Sequence, residues 1–240
     1  MERVLLRLVA WNANYNIHRR SPEDTLSLVE HLNADLYVIS ETGPANSGPG
    51  PAVWYVGDTP GLAVVAGKRL TLQPVAENAD APPRMLGFRV GGDCGFDLLA
   101  AWPVSRRGEP TYHQVLMASV DRFSSLLTSG RAIVAGDLNS SPRVAAQRSS
   151  HPKFVSAMSD LGLESVYHAT TGDSHGQESI PTYRHASGLQ RDFHLDYCFV
   201  AAELMPVASL EILSDPHWMT VSDHYPLVLD IRDDALARSF

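Results

Sequence analysis

Short apolar runs recur along the chain and are separated by turn-forming residues. Residues 4–11, 36–40 and 132–135 are apolar with few breaks, which is typical of buried strands. Further strands are predicted at 53–56, 62–66, 86–90, 96–102, 163–167, 192–200 and 227–231. Because Gly, Pro, Asn and Ser interrupt these runs at short intervals, the pattern predicts a two-sheet β-sandwich rather than a βαβ barrel.

Helical periodicity is confined to a few segments. A helix is predicted to begin after Ser21, because its hydroxyl can cap the first turn and Pro22 suits the first helical position. Residues 115–127 place apolar side chains three and four apart and precede a glycine, and residues 151–161 show similar spacing. The sequence contains no repeat, low-complexity tract or clear linker, so residues 1–240 are predicted to form a single domain.

Composition narrows the class of protein. Hydrophobic residues make up 44% and charged residues 19%, which predicts a folded chain with a sizeable core. The net charge of −8 argues against broad binding to a polyanion, but it leaves room for a compact site where a metal supplies positive charge. The two cysteines match no zinc or disulfide framework. No apolar stretch suits a signal peptide or membrane span, so we expect a soluble, cytoplasmic protein. We also expect it to be a monomer.

Two polar residues stand where the first apolar runs end. Asn12 follows the first run, and Glu41 follows the second. A lone carboxylate at the end of a buried strand is poorly solvated unless a cation neutralises it, and a hard divalent cation would do so. Structural roles are the alternative, with Asn12 in a turn and Glu41 in a helix cap or surface ion pair.

The segment from Gly136 to Pro142 is the most specific signal. Gly136 permits a sharp bend after a buried strand, and Asp137 and Asn139 can then project to the same side. The carboxylate can orient and deprotonate a water molecule, and the amide can donate to an oxyanion that develops on phosphorus. The alternative is an Asx-turn that uses both side chains locally.

Two further acidic positions lie near the C-terminus. His194 and Asp196 have the two-residue spacing that places strand side chains on one face. A buried Asp196 close to His224 would hold this histidine as an imidazolium able to bind a phosphate oxygen. Asp223 belongs to the same group, although it could also cap a turn before Pro226.

In order, the motifs WN, ET, GDLN, LDY and SDHYP resemble those of the endonuclease/exonuclease/phosphatase superfamily, and they run from Trp11 to Pro226. That superfamily includes pancreatic-type deoxyribonucleases, abasic-site endonucleases, inositol-polyphosphate phosphatases and sphingomyelinases. The segment PTY before FHLDYCFV is similar to bacterial members without an assigned substrate. The resemblance implies an α+β fold, a four-layer α/β/β/α sandwich of two packed mixed sheets flanked by helices.

The resemblance also implies roles for individual residues. It implies Mg²⁺ or Mn²⁺ held mainly by Glu41, with Asn12, Asn14 or Asp223 nearby. By the same implication Asp137 activates the water, Asn139 stabilises the transition state and Asp196 orients a partner. His224, backed by Asp223, would bind the scissile phosphate, together with Asn12 and Asn139.

One position departs from the family pattern. Many members carry His or Tyr in the strand before GDLN, where this chain has Trp102. Tryptophan can donate one N–H bond but cannot shuttle protons, so Tyr112, His113, His194 or a water on the metal would assist the leaving oxygen. Trp102 itself is expected in the core.

The predicted activity is hydrolysis of a phosphodiester, with a nuclease favoured. A phosphatase or phosphodiesterase for a nucleotide or phospholipid head group is one alternative, and a catalytically silent binding module is another. A zinc hydrolase built on His168, His175, His185 and His194 is a further alternative, although their spacing matches no HExxH helix. Loop residues 42–51 and residues 168–191 are expected to shape the pocket.

Overall fold

The computed structural model of this chain describes residues 4–45, 53–185, 192–232 and Leu236. Within these residues, two mixed sheets of six strands each pack on one another, and helices flank them. The predicted α/β/β/α sandwich is therefore confirmed, whereas the single-domain boundary stays a prediction. Among the same residues, no helix combines the length and apolar composition needed to cross a lipid bilayer.

The regular elements follow one another at short intervals. The strands are β1 (Val4–Asn12), β2 (Leu36–Thr42), β3 (Val53–Val56), β4 (Gly61–Ala66), β5 (Leu70–Pro74), β6 (Met85–Gly92), β7 (Phe96–Ala101), β8 (Ala132–Asp137), β9 (Leu163–Ser165), β10 (Tyr183–Arg184), β11 (Asp192–Phe193), β12 (Asp196–Ala201), β13 (Ala208–Ile212) and β14 (Leu227–Arg232). The α-helices are α1 (Tyr15–His18), α2 (Pro22–Val29), α3 (Tyr112–Arg122), α4 (Ser124–Leu127), α5 (His151–Asp160) and α6 (Val166–Thr171). Short 3₁₀ helices occupy Glu30–Leu32, Ala76–Asp80, Ala145–Gln147, Ala202–Val207 and Pro216–Thr220.

The order of the strands brings distant chain segments to one edge. One sheet has the order β13-β14-β1-β2-β4-β3, and the other has β5-β6-β7-β8-β12-β9. Strands β1 and β2 run parallel, and β14 runs antiparallel to β1. Because β12 is antiparallel to β8, the end of β8 meets the start of β12. The ends of β1, β2 and β8 therefore lie beside the starts of β12 and β14.

Side-chain alternation in β8 separates two cores. Ile133 and Ala135 belong to the core between the sheets, whereas Ala132 and Val134 pack in the second core against the helices. Successive side chains of a strand point to opposite faces, so a strand covered on both sides is apolar throughout. Asp137 continues the inward series and ends the strand as a carboxylate at the edge of the inter-sheet core.

Helix α2 begins as its sequence predicts. The hydroxyl of Ser21 accepts a hydrogen bond from the Asp24 backbone N–H at 3.1 Å, and the Asp24 carboxylate accepts one from the Ser21 backbone N–H at 3.2 Å. This reciprocal capping box satisfies backbone donors that would otherwise lack partners. The predicted helix at 115–127 instead begins at Tyr112 and divides at Phe123 into α3 and α4.

Several predicted strands are wrong in part. Residues 163–167 are divided between β9 and α6, because a short apolar run does not distinguish a strand from a buried helical turn. Residues 192–200 are divided between β11 and β12, because the Thr182 hydroxyl accepts the backbone N–H groups of Leu195 and Asp196. Strands β5 and β13 were not predicted. Residues 46–51 of the first pocket loop and 186–191 of the second lie outside the described residues.

Candidate active site

Asn12 links two acidic residues that are far apart along the chain. Its amide Nδ2 donates to Glu41 Oε1 at 3.1 Å and to Asp137 Oδ2 at 2.9 Å. Glu41 has a φ of 49°, and the pairing of β2 with β4 shifts register between Ile39 and Thr42. An irregularity of this kind re-aims a side chain, and here it accompanies the turn of the Glu41 carboxylate towards Asn12.

The turn after β8 places Asn139 beside Asp137. Gly136 has a φ of 138°, and a Cβ there would collide with the carbonyl oxygen of Ala101, so the chain needs glycine at this point. Asp137 Oδ1 accepts the Asn139 backbone N–H at 2.9 Å, and Oδ2 accepts the Asn139 amide at 3.2 Å. The local Asx-turn is therefore present together with the contact to Asn12.

Gln147 supports this turn from outside. Its Nε2 donates to the Asn139 carbonyl at 2.8 Å, and its Oε1 accepts the Ser141 backbone N–H at 2.8 Å. The Asn139 side chain also donates to the Pro103 carbonyl at 3.3 Å, which is a long bond. The backbone of the turn is thus held firmly, while the Asn139 amide keeps weaker contacts.

Asp196 and His224 form a buried pair. His224 Nδ1 lies 2.8 Å from Asp196 Oδ2, with side-chain exposures of 6% and 2%. Burial lowers the pKa of His224, but the charge and hydrogen bond of Asp196, with the charge of Asp137, more than offset it and raise the pKa to about 10. His224 is therefore an imidazolium at neutral pH, as expected from the sequence.

The segment before β14 is anchored to the end of β1. The Ser222 hydroxyl donates to the Asn12 carbonyl at 2.7 Å and accepts the His224 backbone N–H at 3.1 Å. The Asn14 amide donates to Asp223 Oδ1 at 2.8 Å. Asn14 therefore lies behind Asp223 and orients its carboxylate towards the cleft.

Burial makes two carboxyl groups of this site, Asp137 and Glu41, costly to ionise. It raises the pKa of Asp137 to about 7, and the nearby charge of Asp196 adds to the shift while His224 opposes it. Burial also raises the pKa of Glu41, against the hydrogen bond from Asn12 and the charge of His224. Groups with pKa values near neutrality suit proton transfer at physiological pH.

An open cleft of about 620 Å³ lies above these groups. Its lining combines acidic, aromatic and basic side chains, and comprises Glu41, Tyr112, Asn139, Arg143, Val144, Ala145, Gln147, Tyr183, His185, Phe193, Leu195, Asp223 and His224. Asp137 is 1% exposed and lies beneath the lining, covered by Asn12 and Asn139. Sequence reasoning missed Arg143, Gln147 and Phe193, because no local pattern marks them.

The structure distinguishes the residues considered for assistance to the leaving oxygen. Trp102 is 4% exposed in the inter-sheet core, with the Arg84 guanidinium 5.1 Å from its ring. Tyr112 lines the cleft. His194 does not share a face with Asp196, so that prediction is wrong: the strand is interrupted at 194–195, and the His194 ring packs 4.8 Å from the Tyr197 ring on the opposite side.

The four histidines considered for a zinc hydrolase, His168, His175, His185 and His194, do not lie together in one site. His185 lines the cleft. His168 and His175 stack with ring centroids 3.5 Å apart, and His194 lies 5.4 Å from His168. They form a second cluster that contributes nothing to the cleft lining described above.

The acidic side chains fit a hard divalent cation. Glu41, Asp137, Asp196 and Asp223 converge beside one buried imidazolium, and burial raises the pKa of Glu41 despite the hydrogen bond from Asn12 and the charge of His224. Oxygen donors suit Mg²⁺ and Mn²⁺. Glu41 and Asp223 line the cleft, so they can hold the ion. His224 is unsuited as a metal ligand, since its Nδ1 is hydrogen-bonded to Asp196 and its ring is protonated.

Comparison with solved structures gives close matches to the fold. A 3′–5′ exonuclease (NExo) from Neisseria meningitidis has a TM-score of 0.68 at 16% identity, covering 95% of this chain and all of the other. An AP endonuclease from Archaeoglobus fulgidus has a TM-score of 0.67 at 16% identity, covering 94% and 99%. A 3′ phosphatase NExo variant from Neisseria, bound to product DNA hairpin, has a TM-score of 0.66 at 16% identity, covering 95% and 100%. These likenesses establish the fold.

Sequence comparisons give the family. Comparison with curated proteins finds none that matches this chain. The model of the Endonuclease/Exonuclease/phosphatase family, in contrast, matches residues 9–224, a span that includes every residue of the acidic site from Asn12 to His224. The chain therefore belongs to the endonuclease/exonuclease/phosphatase family.

Proposed function

We propose that this chain is a Mg²⁺- or Mn²⁺-dependent hydrolase of phosphodiesters, with nucleic acid as its substrate. The observation that carries the proposal is the Asn12 amide, which joins Glu41 and Asp137 beneath a cleft that Asp223 and His224 also line. Membership of the family supports a phosphoesterase. The metal, the substrate and the role of each residue are the proposed part.

Asp137 would act as the base that orients and deprotonates the attacking water. Its pKa of about 7, raised by burial, allows it to accept a proton at neutral pH. In this structure the Asn139 amide covers Asp137 Oδ2 through a bond of 3.2 Å. If the Asn139 amide turned to a phosphoryl oxygen of the bound substrate, it would leave Oδ2 open to water.

His224 and Asn139 would stabilise the negative charge of the phosphoryl group. Nδ1 of His224 is committed to Asp196, so Nε2 is the nitrogen that the ring can present to a substrate oxygen. The Asp196 carboxylate keeps the ring protonated and correctly oriented. Asn139 would add a neutral N–H donor to the same oxygen or its neighbour.

Glu41, with Asp223 and Asn12 beside it, would hold the divalent ion. The bound ion would neutralise phosphate charge and stabilise the leaving alkoxide. Asn14 would keep Asp223 in place through its bond of 2.8 Å. The Asn12 amide, which donates to both Glu41 and Asp137, would couple the position of the metal ligand to that of the base.

The wall of the cleft favours a nucleotide-containing substrate. Tyr112, Tyr183 and Phe193 offer aromatic faces on which an unpaired base can stack. The Arg143 guanidinium lies 6.0 Å from the Phe193 ring, where it can reach a phosphate. The structural neighbours named above are two nucleases and a 3′ phosphatase bound to DNA. A nucleic acid with an unpaired nucleotide therefore fits this cleft better than a phospholipid head group.

A single substrate panel tests the proposal. Single-stranded DNA, duplex DNA, abasic-site DNA, RNA and a chromogenic diester would each be incubated with the chain and Mg²⁺ or Mn²⁺. Cleavage of nucleic acid that is abolished by chelation and restored by either ion is expected. Asp137→Asn provides the matched control for contaminating nucleases. The absence of turnover on every substrate would contradict the proposal and favour a silent binding module.

A further inference from the structure

A second group of titratable side chains lies on the far side of β12 from the catalytic cleft. We call it the histidine cluster, and it consists of His151 at the start of α5, His168 in α6, His175 and Glu178 in the loop that follows, and His194 before β12. None of these residues is needed for the proposed phosphodiester chemistry. Their gathering from three separate chain segments therefore requires an explanation of its own.

Three members of the cluster have donor atoms within reach of one ion. Ligand atoms of His168, His175 and Glu178 all lie within 4.8 Å of one another. His168 Nε2 is 3.3 Å from Glu178 Oε1, and the rings of His168 and His175 stack at 3.5 Å. The side chains of His168 and Glu178 are 9% and 2% exposed, so the group is largely shielded from water but close to the surface.

Each histidine of the group has its Nδ1 held by a neighbour. His168 Nδ1 lies 2.7 Å from the Ser165 hydroxyl, and His175 Nδ1 lies 3.0 Å from His151 Nε2. His194 Nδ1 lies 3.3 Å from the Ile180 carbonyl. Such contacts through Nδ1 fix the orientation of each ring, as is found around metal-binding histidines, and they turn Nε2 of His168 towards Glu178.

His194 supplies an independent indication of a ligand. It is 1% exposed, and among the described residues its Nε2 has no hydrogen-bond partner. A buried ring nitrogen without a partner costs free energy unless another group binds it. The His194 ring meets the His168 ring edge-on at 5.4 Å, so His194 borders the three-ligand group, although its nitrogens are not among the ligand atoms that lie within 4.8 Å of one another.

The protonation states of His175, His194 and Glu178 match those of metal ligands. Burial and the neighbouring histidines lower the pKa of His175 to about 3, and burial lowers the pKa of His194 to about 4. Glu178 is the opposite case, since burial raises its pKa but hydrogen bonds from His168 and the Gly176 backbone N–H lower it to about 2. Neutral imidazoles and an ionised carboxylate can bind a metal without first losing protons.

We propose that the histidine cluster is a zinc site, in which His168, His175 and Glu178 bind Zn²⁺ and the neighbouring His194 ring turns to bring its unpartnered Nε2 to the ion as the fourth donor. Imidazole nitrogens select Zn²⁺ over Mg²⁺, so the two metal sites of this chain differ in ligand class. Four protein ligands complete a tetrahedral shell, which makes the site structural. It is distinct from the zinc hydrolase considered from the sequence, which also required His185.

The zinc site would stabilise the turn after β8, which carries Asn139, from the side opposite the cleft. The Tyr197 hydroxyl donates to the carbonyls of Ser140 and His194 at 2.9 and 3.0 Å. The Ser140 hydroxyl lies 2.8 Å from His151 Nδ1, and His151 in turn contacts His175. The ion would therefore join α6 and its following loop to the residues that flank Asn139 and Asp196.

Zinc titration of the metal-stripped chain tests the proposal. With excess Mg²⁺ present to occupy the acidic site, calorimetry should show one equivalent of tightly bound Zn²⁺, and chelation should lower the melting temperature. Co²⁺ in place of Zn²⁺ should give the intense visible bands of a four-coordinate site, and His194→Ala should weaken them. Absence of tight binding by the stripped wild-type chain would overturn the proposal.

Matched variants separate this site from the catalytic one. His168→Ala and His175→Ala should no longer bind one equivalent of Zn²⁺ tightly. His217→Ala should still bind it, because His217 pairs with Asp215 in an exposed position. Glu41→Gln should also bind Zn²⁺ like the wild type, because Glu41 belongs to the acidic site. The zinc proposal can therefore fail while the proposed hydrolase activity holds, and the reverse. Ser165→Ala retains every ligand and should bind Zn²⁺ about 10- to 100-fold more weakly through loss of the Nδ1 contact. Full binding by His168→Ala and His175→Ala, or its loss in Glu41→Gln, would refute the assignment.

Discussion

The acidic site and the histidine cluster use the same residue type in opposite charge states. At the acidic site, His224 faces Asp196 and Asp137, and its pKa rises to about 10 although it is buried. In the histidine cluster, His175 faces other histidines, and its pKa falls to about 3. Burial disfavours the charged imidazole in both places, so the neighbouring charges decide the outcome. His224 is therefore a cationic donor, whereas His175 is a neutral imidazole of the kind that binds a borderline cation.

The two sites meet at three consecutive residues. Asp196 pairs with His224, His194 belongs to the histidine cluster, and Leu195 between them lines the cleft. The Thr182 hydroxyl interrupts the strand at this point and makes the opposite orientations possible. Two sites with different chemistry are thus built from one short segment, and variants should affect them separately.

The largest effect is expected from Asp137→Asn. Loss of the base should lower kcat/KM by about 10³-fold or more, because general-base and oriented-water contributions are lost together. Steady-state kinetics on the best substrate of the panel would measure it. The same variant should bind Zn²⁺ like the wild type, since Asp137 is no part of the histidine cluster. Activity near that of the wild type would remove Asp137 from the mechanism.

Glu41→Gln should act on the metal requirement. Replacement of an ionised ligand by a neutral amide should raise the Mg²⁺ concentration for half-maximal activity by roughly 10²-fold. A metal titration of activity at saturating substrate would show this shift. The control is the melting temperature in chelator, which should not fall, because burial makes the Glu41 charge unfavourable without a cation. An unchanged metal requirement would contradict the role given to Glu41.

Asp196→Asn should lower the pKa of His224, because it removes the carboxylate that pairs with this ring. The raised pKa of His224 means that its stabilising ion pair is complete below the ordinary histidine value of about 6.5 and is lost as the pH rises through about 10. Activity that needs the imidazolium should follow the same alkaline limb. In Asp196→Asn this limb should move down by about 1 to 3 pH units. A pH profile of kcat/KM measures it, and an unshifted limb would argue against the pair.

The smallest effect is expected from Tyr112→Phe. Burial and the charges of Asp137 and Glu41 raise the pKa of Tyr112, so it keeps its proton and can donate a hydrogen bond to the leaving oxygen. Loss of one such bond, worth about 1 kcal/mol, should lower kcat about fivefold. Trp102→Phe is the matched comparison, and it should lower the melting temperature with little change in kcat. The reverse pattern would assign the leaving-group role to Trp102.

Much of the fold was predictable because its strands are short, apolar and separated by turn residues. The start of α2 was predictable as well, because its capping box is local. The end of the run at 163–167 was not, because Val166 and Tyr167 bury their side chains from a helical turn. The interruption of 192–200 was not predictable either, because it depends on a hydroxyl more than ten residues away.

The sequence by itself determined which polar side chains border the predicted strands and the order in which they follow one another along the chain. Asn12, Glu41, Asp137, Asp196 and His224 could each be named, since carboxylates and amides at the ends of apolar runs are locally visible. Only the tertiary structure decided which face His194 takes, that Trp102 is buried while Tyr112 lines the cleft, and which histidines carry a proton. The physical reason is that the alternation of side chains between two faces predicts orientation only while the strand is unbroken. Charge states, in turn, depend on groups that the fold brings together from distant parts of the chain.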